Sequence, residues 1–231
     1  MRWSFALLFF MGAMQAVIGW WMVYSGLQQK PAVSHYRLAT HLLSALTLFA
    51  FTFWFALKLI FENNQESFYI HKKFRWLLFL FFIVLIIQII FGAFTAGFVE
   101  GDAAKIRPGH IFNTWPKMGD EWVAEQVFMK GNSFKNFFEN ASGIQFVHRT
   151  LALLVAAMMC TIWYYSNKLK INKTATAGIN ILIYGVTLQF ILGVLVLLYN
   201  VPVFTGALHQ TGAFVLFADC IFLLFVVRAK E

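Results

Sequence analysis

W-L-L-F-L-F-F-I-V-L-I-I-Q-I-I-F-G-A-F-T-A-G-F, residues 76–98, carries no charged side chain. A helix of about 20 apolar residues is long enough to cross about 30 Å of hydrocarbon, so this stretch reads as a transmembrane span. Comparable runs fall near residues 3–24, 38–61, 144–165, 177–199 and 205–228. Composition agrees, with 60% hydrophobic and 12% charged residues and a mean hydropathy of +0.70 over 231 residues, well outside the range of soluble domains. The expected fold is all-α: a polytopic transmembrane helix bundle of six spans embedded in a lipid bilayer.

The net charge is +8, but the basic residues are not clustered with aromatic platforms, which argues against nucleic acid as a partner. Topology accounts for them better. With the N-terminus in the cytoplasm, that side carries Arg2, Lys58, Lys72, Lys73, Arg75, Lys168, Lys170, Lys173, Arg228 and Lys230 against Glu62, Glu66 and Glu231, a balance of +7. The other side holds eight Lys and Arg against six acids, a balance of +2, and Asp219 inside the last span supplies the remaining −1. The positive-inside rule therefore favours both termini in the cytoplasm. Residues 1–24 also resemble a signal peptide, but the run is too long and lacks a clean small-x-small cleavage site. Cys160 and Cys220 lie inside expected helices and read as small buried hydrophobes rather than as a disulfide or a metal site.

One connection is long. Residues 99–143 form an outer loop whose second half, 121–140, mixes aromatic and charged residues. Two readings stand for it, a helix lying at the membrane interface or a solvated loop.

A weak repeat runs through the spans. Three helices carry Gln-x-x-x-Gly, and each is followed by a helix with a histidine near its outer end: Gln15/Gly19 then His41, Gln88/Gly92 then His148, Gln189/Gly193 then His209. Residues four apart share one helical face. There glycine admits a close neighbour and glutamine can bond across to the next helix. His35, His71 and His110 fall in loops or at interfaces, where water satisfies them. His41, His148 and His209 instead lie four or five residues inside helices entering from the outer face, at one expected depth. A lone intramembrane histidine is commonly bonded to a neighbouring helix. Three at one depth on alternate helices favour a ligand role, since ionisable groups within spans face the interior and mark functional paths. Neutral imidazole is a common axial ligand of haem iron, so His148 and His209 are expected to clamp one haem between helices. His41 is left over, and a further histidine helix is expected upstream of Met1. Arg37 and Arg149 stand beside these histidines near the surface, placed either to meet haem propionates or to snorkel. Asn140 and Gln145 precede His148, as a helix cap or as groups orienting its ring. Asp219 sits deep toward the cytoplasmic half, without an evident partner.

Five ordered motifs then carry a resemblance: G-W-W-M-V-Y-S-G-L (19–27), Y-R-L-A-T-H-L (36–42), F-N-T-W-P-K-M-G (112–119), F-E-N-A-S-G-I-Q-F-V-H-R (138–149) and A-L-H-Q-T-G (207–212). Together they resemble haem A synthase in its mitochondrial and proteobacterial form. The resemblance implies an eight-helix protein of the bacterial or mitochondrial inner membrane, with its haem layer toward the outer, periplasmic side. It implies a membrane oxidoreductase that oxidises the C8 methyl of haem O to the formyl of haem A for terminal oxidases, with haem O synthase as a partner. It implies a haem b held by the C-terminal half through His148 and His209, and a catalytic, iron-facing role for His41 toward substrate haem O. Residues 1–75 then correspond to the N-terminal, substrate-haem half. Residues 76–231 correspond to the C-terminal, four-helix haem b half with its long outer loop 99–143. The family's first two helices have no counterpart here. Residues 97–112 are longer than the family's link, so no role is carried onto Glu100, Asp102 or His110. The electron donor and the oligomeric state do not follow from the resemblance. A dihaem-type cytochrome b electron carrier and a non-catalytic haem-delivery or assembly protein are the alternative readings.

Overall fold

The structure is a computed structural model describing residues 2–27, 33–61, 68–70, 72–97, 111–128, 134–169 and 171–229. Its long helices are α1 (Arg2–Leu27), α2 (His35–Phe61), α3 (Lys72–Ala96), α5 (Ala141–Ser166), α6 (Lys173–Leu198) and α7 (Val203–Val226), with a short α4 (Asn136–Glu139) before α5. The six long helices among the described residues are each long and apolar enough to cross a membrane. They match the six runs expected from sequence, extended by a few residues at most ends. The protein is an all-α integral membrane protein. Besides helix, a short parallel pairing joins β1 (Phe68–Ile70) to β2 (Val227–Ala229).

Hydrocarbon offers backbone groups no water, so a spanning segment must satisfy them internally, and helix does this. The hydroxyls follow the same rule. Thr40, Thr47, Thr52, Thr150, Thr161, Thr187 and Thr211 each donate to the carbonyl four residues back, at 2.8–2.9 Å. At the ends the caps are explicit. Asn172 is extended and its side chain accepts from Ala175 N at 2.8 Å, starting α6. Asn140 Oδ1 accepts from Ser142 N at 2.9 Å, starting α5. Large apolar side chains stand exposed, among them Trp3 and Val203 at 89%; lipid tails solvate such a surface as water would not.

The packing resolves into two compact units. One comprises residues 1–52 and 89–150, the other residues 53–88 and 151–231. In the second unit α6 and α7 run antiparallel across a stripe of glycines. A Cβ at Gly178 would stand 2.7 Å from Leu223 Cδ2, one at Gly185 2.7 Å from Leu216 Cδ2, and one at Gly193 3.0 Å from His209 Cε1. Because lipid tails are as apolar as leucine, helices in a bilayer associate through such close fitting rather than through hydrophobic burial. The turn Tyr199–Pro202 joining the two helices is tight, with Asn200 and Val201 at φ 58° and 57°. It sets the register that brings His209 opposite Gly193. Within the same unit Phe81, Met159, Ile162, Ile179, Leu182, Leu216 and Leu223 are fully buried. Arg75 binds the backbone carbonyls of Leu224 and Val227 at the end of α7.

The first unit contains α1, the first two-thirds of α2, the end of α3, the loop segments 111–128 and 134–140, and the start of α5. Among its described residues the loop forms a 3-10 turn (Glu125–Phe128) and α4. It also builds a small core of Met118, Ala124 and Val127, against which Phe112, Phe137 and Phe146 pack.

Candidate functional site

His41 is half-buried on α2, facing α1. A Cβ at Gly19 would lie 2.9 Å from His41 Cε1, so glycine is what lets the ring edge seat there. Gln15, one turn earlier on α1, brings its Nε2 to 3.0 Å from the His41 carbonyl and 3.2 Å from His41 Nδ1. Ser44, one turn after His41, has two acceptors for its single hydroxyl proton, Gln15 Oε1 at 2.6 Å and the His41 carbonyl at 2.8 Å, the shorter contact being to Gln15. Arg37 is engaged one turn toward the helix start: its NH1 donates to Trp21 O at 2.8 Å and its guanidinium lies 4.5 Å from the Trp21 ring.

His148 repeats the glycine seat, because a Cβ at Gly92 on α3 would stand 3.2 Å from His148 Cε1. The residues around it hold the loop between α3 and α5. Gln145 is buried and grips the backbone of Phe112 from both sides: its Oε1 accepts from Phe112 N and its Nε2 donates to Phe112 O, each at 2.9 Å. Arg149 donates from NH2 to Phe112 O at 2.9 Å and Thr114 O at 2.8 Å, and from NH1 to Lys117 O at 3.1 Å. Asn140 donates from Nδ2 to Gln126 O at 2.7 Å while capping α5. Segment 112–126 is therefore a strap pinned to the first two turns of the histidine helix. Sequence offered Arg149 either as a partner for propionates or as a snorkelling cation; here it meets three backbone carbonyls, with Nε buried and lacking a partner among the described residues. Asn140 and Gln145 were expected as cap or ring-orienting groups. Asn140 caps, and Gln145 binds the strap.

His209 belongs to the second unit and sits against Gly193 on α6. Gln189 Nε2 donates to the His209 carbonyl at 2.5 Å. The ring Nδ1 is buried and without a hydrogen-bond partner among the described residues, as is Gln189 Oε1. Among the described residues no three His, Cys, Asp or Glu gather into a metal cluster. Haem iron arrives with its own equatorial nitrogens and needs only single imidazole donors rather than a cluster of ligands. His209 and its glycine cradle fit that group.

Three further histidines were assigned to water. His71 and His110 lie outside the described residues. His35 differs from expectation: it is buried at the start of α2, donates from Nε2 to Phe138 O at 3.0 Å, and packs edge-on against Phe94. A Cβ at Gly97 would lie 2.7 Å from His35 Cβ, a contact between distant segments that no local pattern announces. Cys220 is buried as expected, but Cys160 is exposed. Asp219 is buried on α7 with Oδ2 lacking a partner among the described residues. Ser44 was not singled out at all; it lies one turn past His41 and has no counterpart in the Gln-x-x-x-Gly repeat.

Comparison with known proteins places this arrangement. The profile of the COX15-CtaA family, described as cytochrome oxidase assembly protein, matches residues 1–221. The chain belongs to the haem A synthase family. It is 42% identical over 218 residues to a haem A synthase of Flavobacterium johnsoniae, covering 93% of this chain and 60% of that protein. It is 37% identical to one from Wolbachia pipientis wMel, covering 97% of this chain and 59% of that protein. Against the haem A synthase COX15 of Arabidopsis thaliana the identity is 38%, covering 96% and 49%. The chain thus spans roughly half to three-fifths of the length of these family members, and the histidine motifs of the two units lie within the matched region.

Proposed function

We propose that the protein acts in haem A formation as a membrane oxidoreductase that converts haem O to haem A, with His148 and His209 as the residues that would hold a haem b. Three facts support this reading: membership of the family, a chain built for the bilayer, and one local device recurring in it. That device, which carries the proposal, is an imidazole edge seated on a glycine of the preceding helix, seen at Gly19, Gly92 and Gly193. It removes the Cβ that would push the ring aside and fixes each histidine at a defined rotation, as a residue holding a haem would need. Bound haem b supplies one-electron transfer. The chain's residues do the rest: Gly92 and Gly193 set the rings, and Arg149 and Gln145 hold the strap over the first turns of α5. His41 and Arg37 face the substrate from α2. The conversion of the C8 methyl to a formyl group is a four-electron oxidation that adds one oxygen atom, and both the electron acceptor and the oxygen come from outside the chain. We further propose that residues 1–75 serve the substrate haem and 76–231 the haem b, that both termini lie in the cytoplasm, and that haem O synthase hands over the substrate.

The test is to supply haem O to membranes carrying the protein and to analyse extracted haems by chromatography and mass. A formylated haem is the expected product. Haem binding with haem O returned unchanged would favour an electron carrier or a delivery protein instead.

A further inference from the structure

We propose that His41 meets its substrate as a hydrogen-bond donor through Nε2–H, held in that tautomer by Gln15 and Ser44, and not as an iron ligand; this rests on the haem-handling role proposed above. The argument is one of donors and acceptors. A backbone carbonyl only accepts, so the Gln15 side-chain atom 3.0 Å from His41 O must be the amide nitrogen. Ser44 secures the same orientation, since its hydroxyl donates to Gln15 Oε1 at 2.6 Å. Reversing the amide would set two oxygens against each other at His41 O. That same amide nitrogen lies 3.2 Å from His41 Nδ1. An amide nitrogen has no lone pair to accept with, so Nδ1 is the acceptor in this contact. A neutral imidazole carries one ring proton, and here it must sit on Nε2. An iron ligand has the opposite arrangement, in which the nitrogen away from the metal donates its N–H to an acceptor. Ligation through Nε2 would therefore require the Gln15 amide to turn over, losing its bonds to His41 O and Ser44 together.

The molecule contains its own comparison. At the position matching Ser44 in the third repeat stands Gly212, which has no hydroxyl. There Gln189 Oε1 lacks a partner, and His209 Nδ1 is not engaged by a donor among the described residues. The same helix pairing thus occurs once with a locked tautomer and once without, and the serine marks the difference. What His41 offers the substrate is an N–H, and Arg37 one turn away adds a cation. Donors of this kind select a carboxylate at the porphyrin edge.

Thr40–His41 is the only Thr-His step in the sequence, so the full chain labelled with carbonyl-13C threonine and 15N histidine identifies His41 by NMR without mutation. The expected result in the wild-type protein is a proton on Nε2 and a bare, accepting Nδ1. A proton on Nδ1, or a ring averaging both forms, would overturn the proposal. Gln15→Glu, whose carboxylate only accepts, should move the proton to Nδ1. Ser44→Ala, the milder change, should leave the ring exchanging between tautomers. A ring that keeps Nε2–H in both variants would show that Gln15 and Ser44 do not set it. The reading of the whole protein has a separate readout: a chain that shows no low-spin haem signal refutes that reading while the tautomer of His41 is still measured.

Discussion

At the scale of the residue, a hydrogen in place of a methyl group governs the histidines. A Cβ at Gly193 would come within 3.0 Å of His209 Cε1, whereas Gly206, three residues before His209 on the same helix, has nothing within 4 Å. Gly193→Ala should therefore displace the ring and destabilise the protein by about 1–3 kcal/mol, the usual cost of overpacking, while Gly206→Ala should do neither. Thermal unfolding of the two variants, with the low-spin haem spectrum recorded alongside, checks both halves of this expectation. Sequence made the glycines visible through their fixed spacing from glutamine. Ser44 and His35 stayed hidden for a physical reason. Ser44 acquires meaning only when α1 lies against α2, and His35 only when Phe138, 103 residues away, presents its carbonyl.

At the scale of the element, register decides. The contacts Gly178 to Leu223, Gly185 to Leu216 and Gly193 to His209 step along α6 and α7 in opposite directions, so one misfit displaces the rest. Gly185→Leu, far from any histidine, should force α7 off α6 and reduce the low-spin signal of His209; an unchanged spectrum would show that the register does not depend on the stripe. The strap makes a second case. Residues 121–140 have the composition of an interfacial helix, but Met118, Ala124 and Val127 find a core of their own and Arg149 draws the carbonyls of Phe112, Thr114 and Lys117 inward. Local pattern cannot report a cation four residues past Gln145 that spends its donors on a segment 32 to 37 residues earlier. Arg149→Ala should raise amide hydrogen exchange across 112–119. Arg149→Lys should not restore protection, because an ammonium cannot span three carbonyls as a planar fork does. Exchange measured by mass spectrometry distinguishes these outcomes.

At the scale of the whole molecule, the predictions concern haem and topology. His148→Ala and His209→Ala should each abolish the low-spin absorption of the purified protein, and His71→Ala should leave it intact; equal loss from all three would break the ligand assignment. With six spans, reporters fused near Arg2 and after Arg228 should show the same, cytoplasmic, side of the membrane. The apolar runs by themselves determined that the chain is helical and spans a bilayer, because a peptide backbone in hydrocarbon has few ways to satisfy its own hydrogen bonds. The repeat of glutamine, glycine and histidine likewise stood in the sequence, since four residues on a helix make one face. Only the tertiary structure decided what each polar group does. Whether Arg149 holds a strap, whether Ser44 locks a glutamine, and which nitrogen of His41 carries its proton depend on donors and acceptors that meet across helices, and spacing along a chain does not encode those distances.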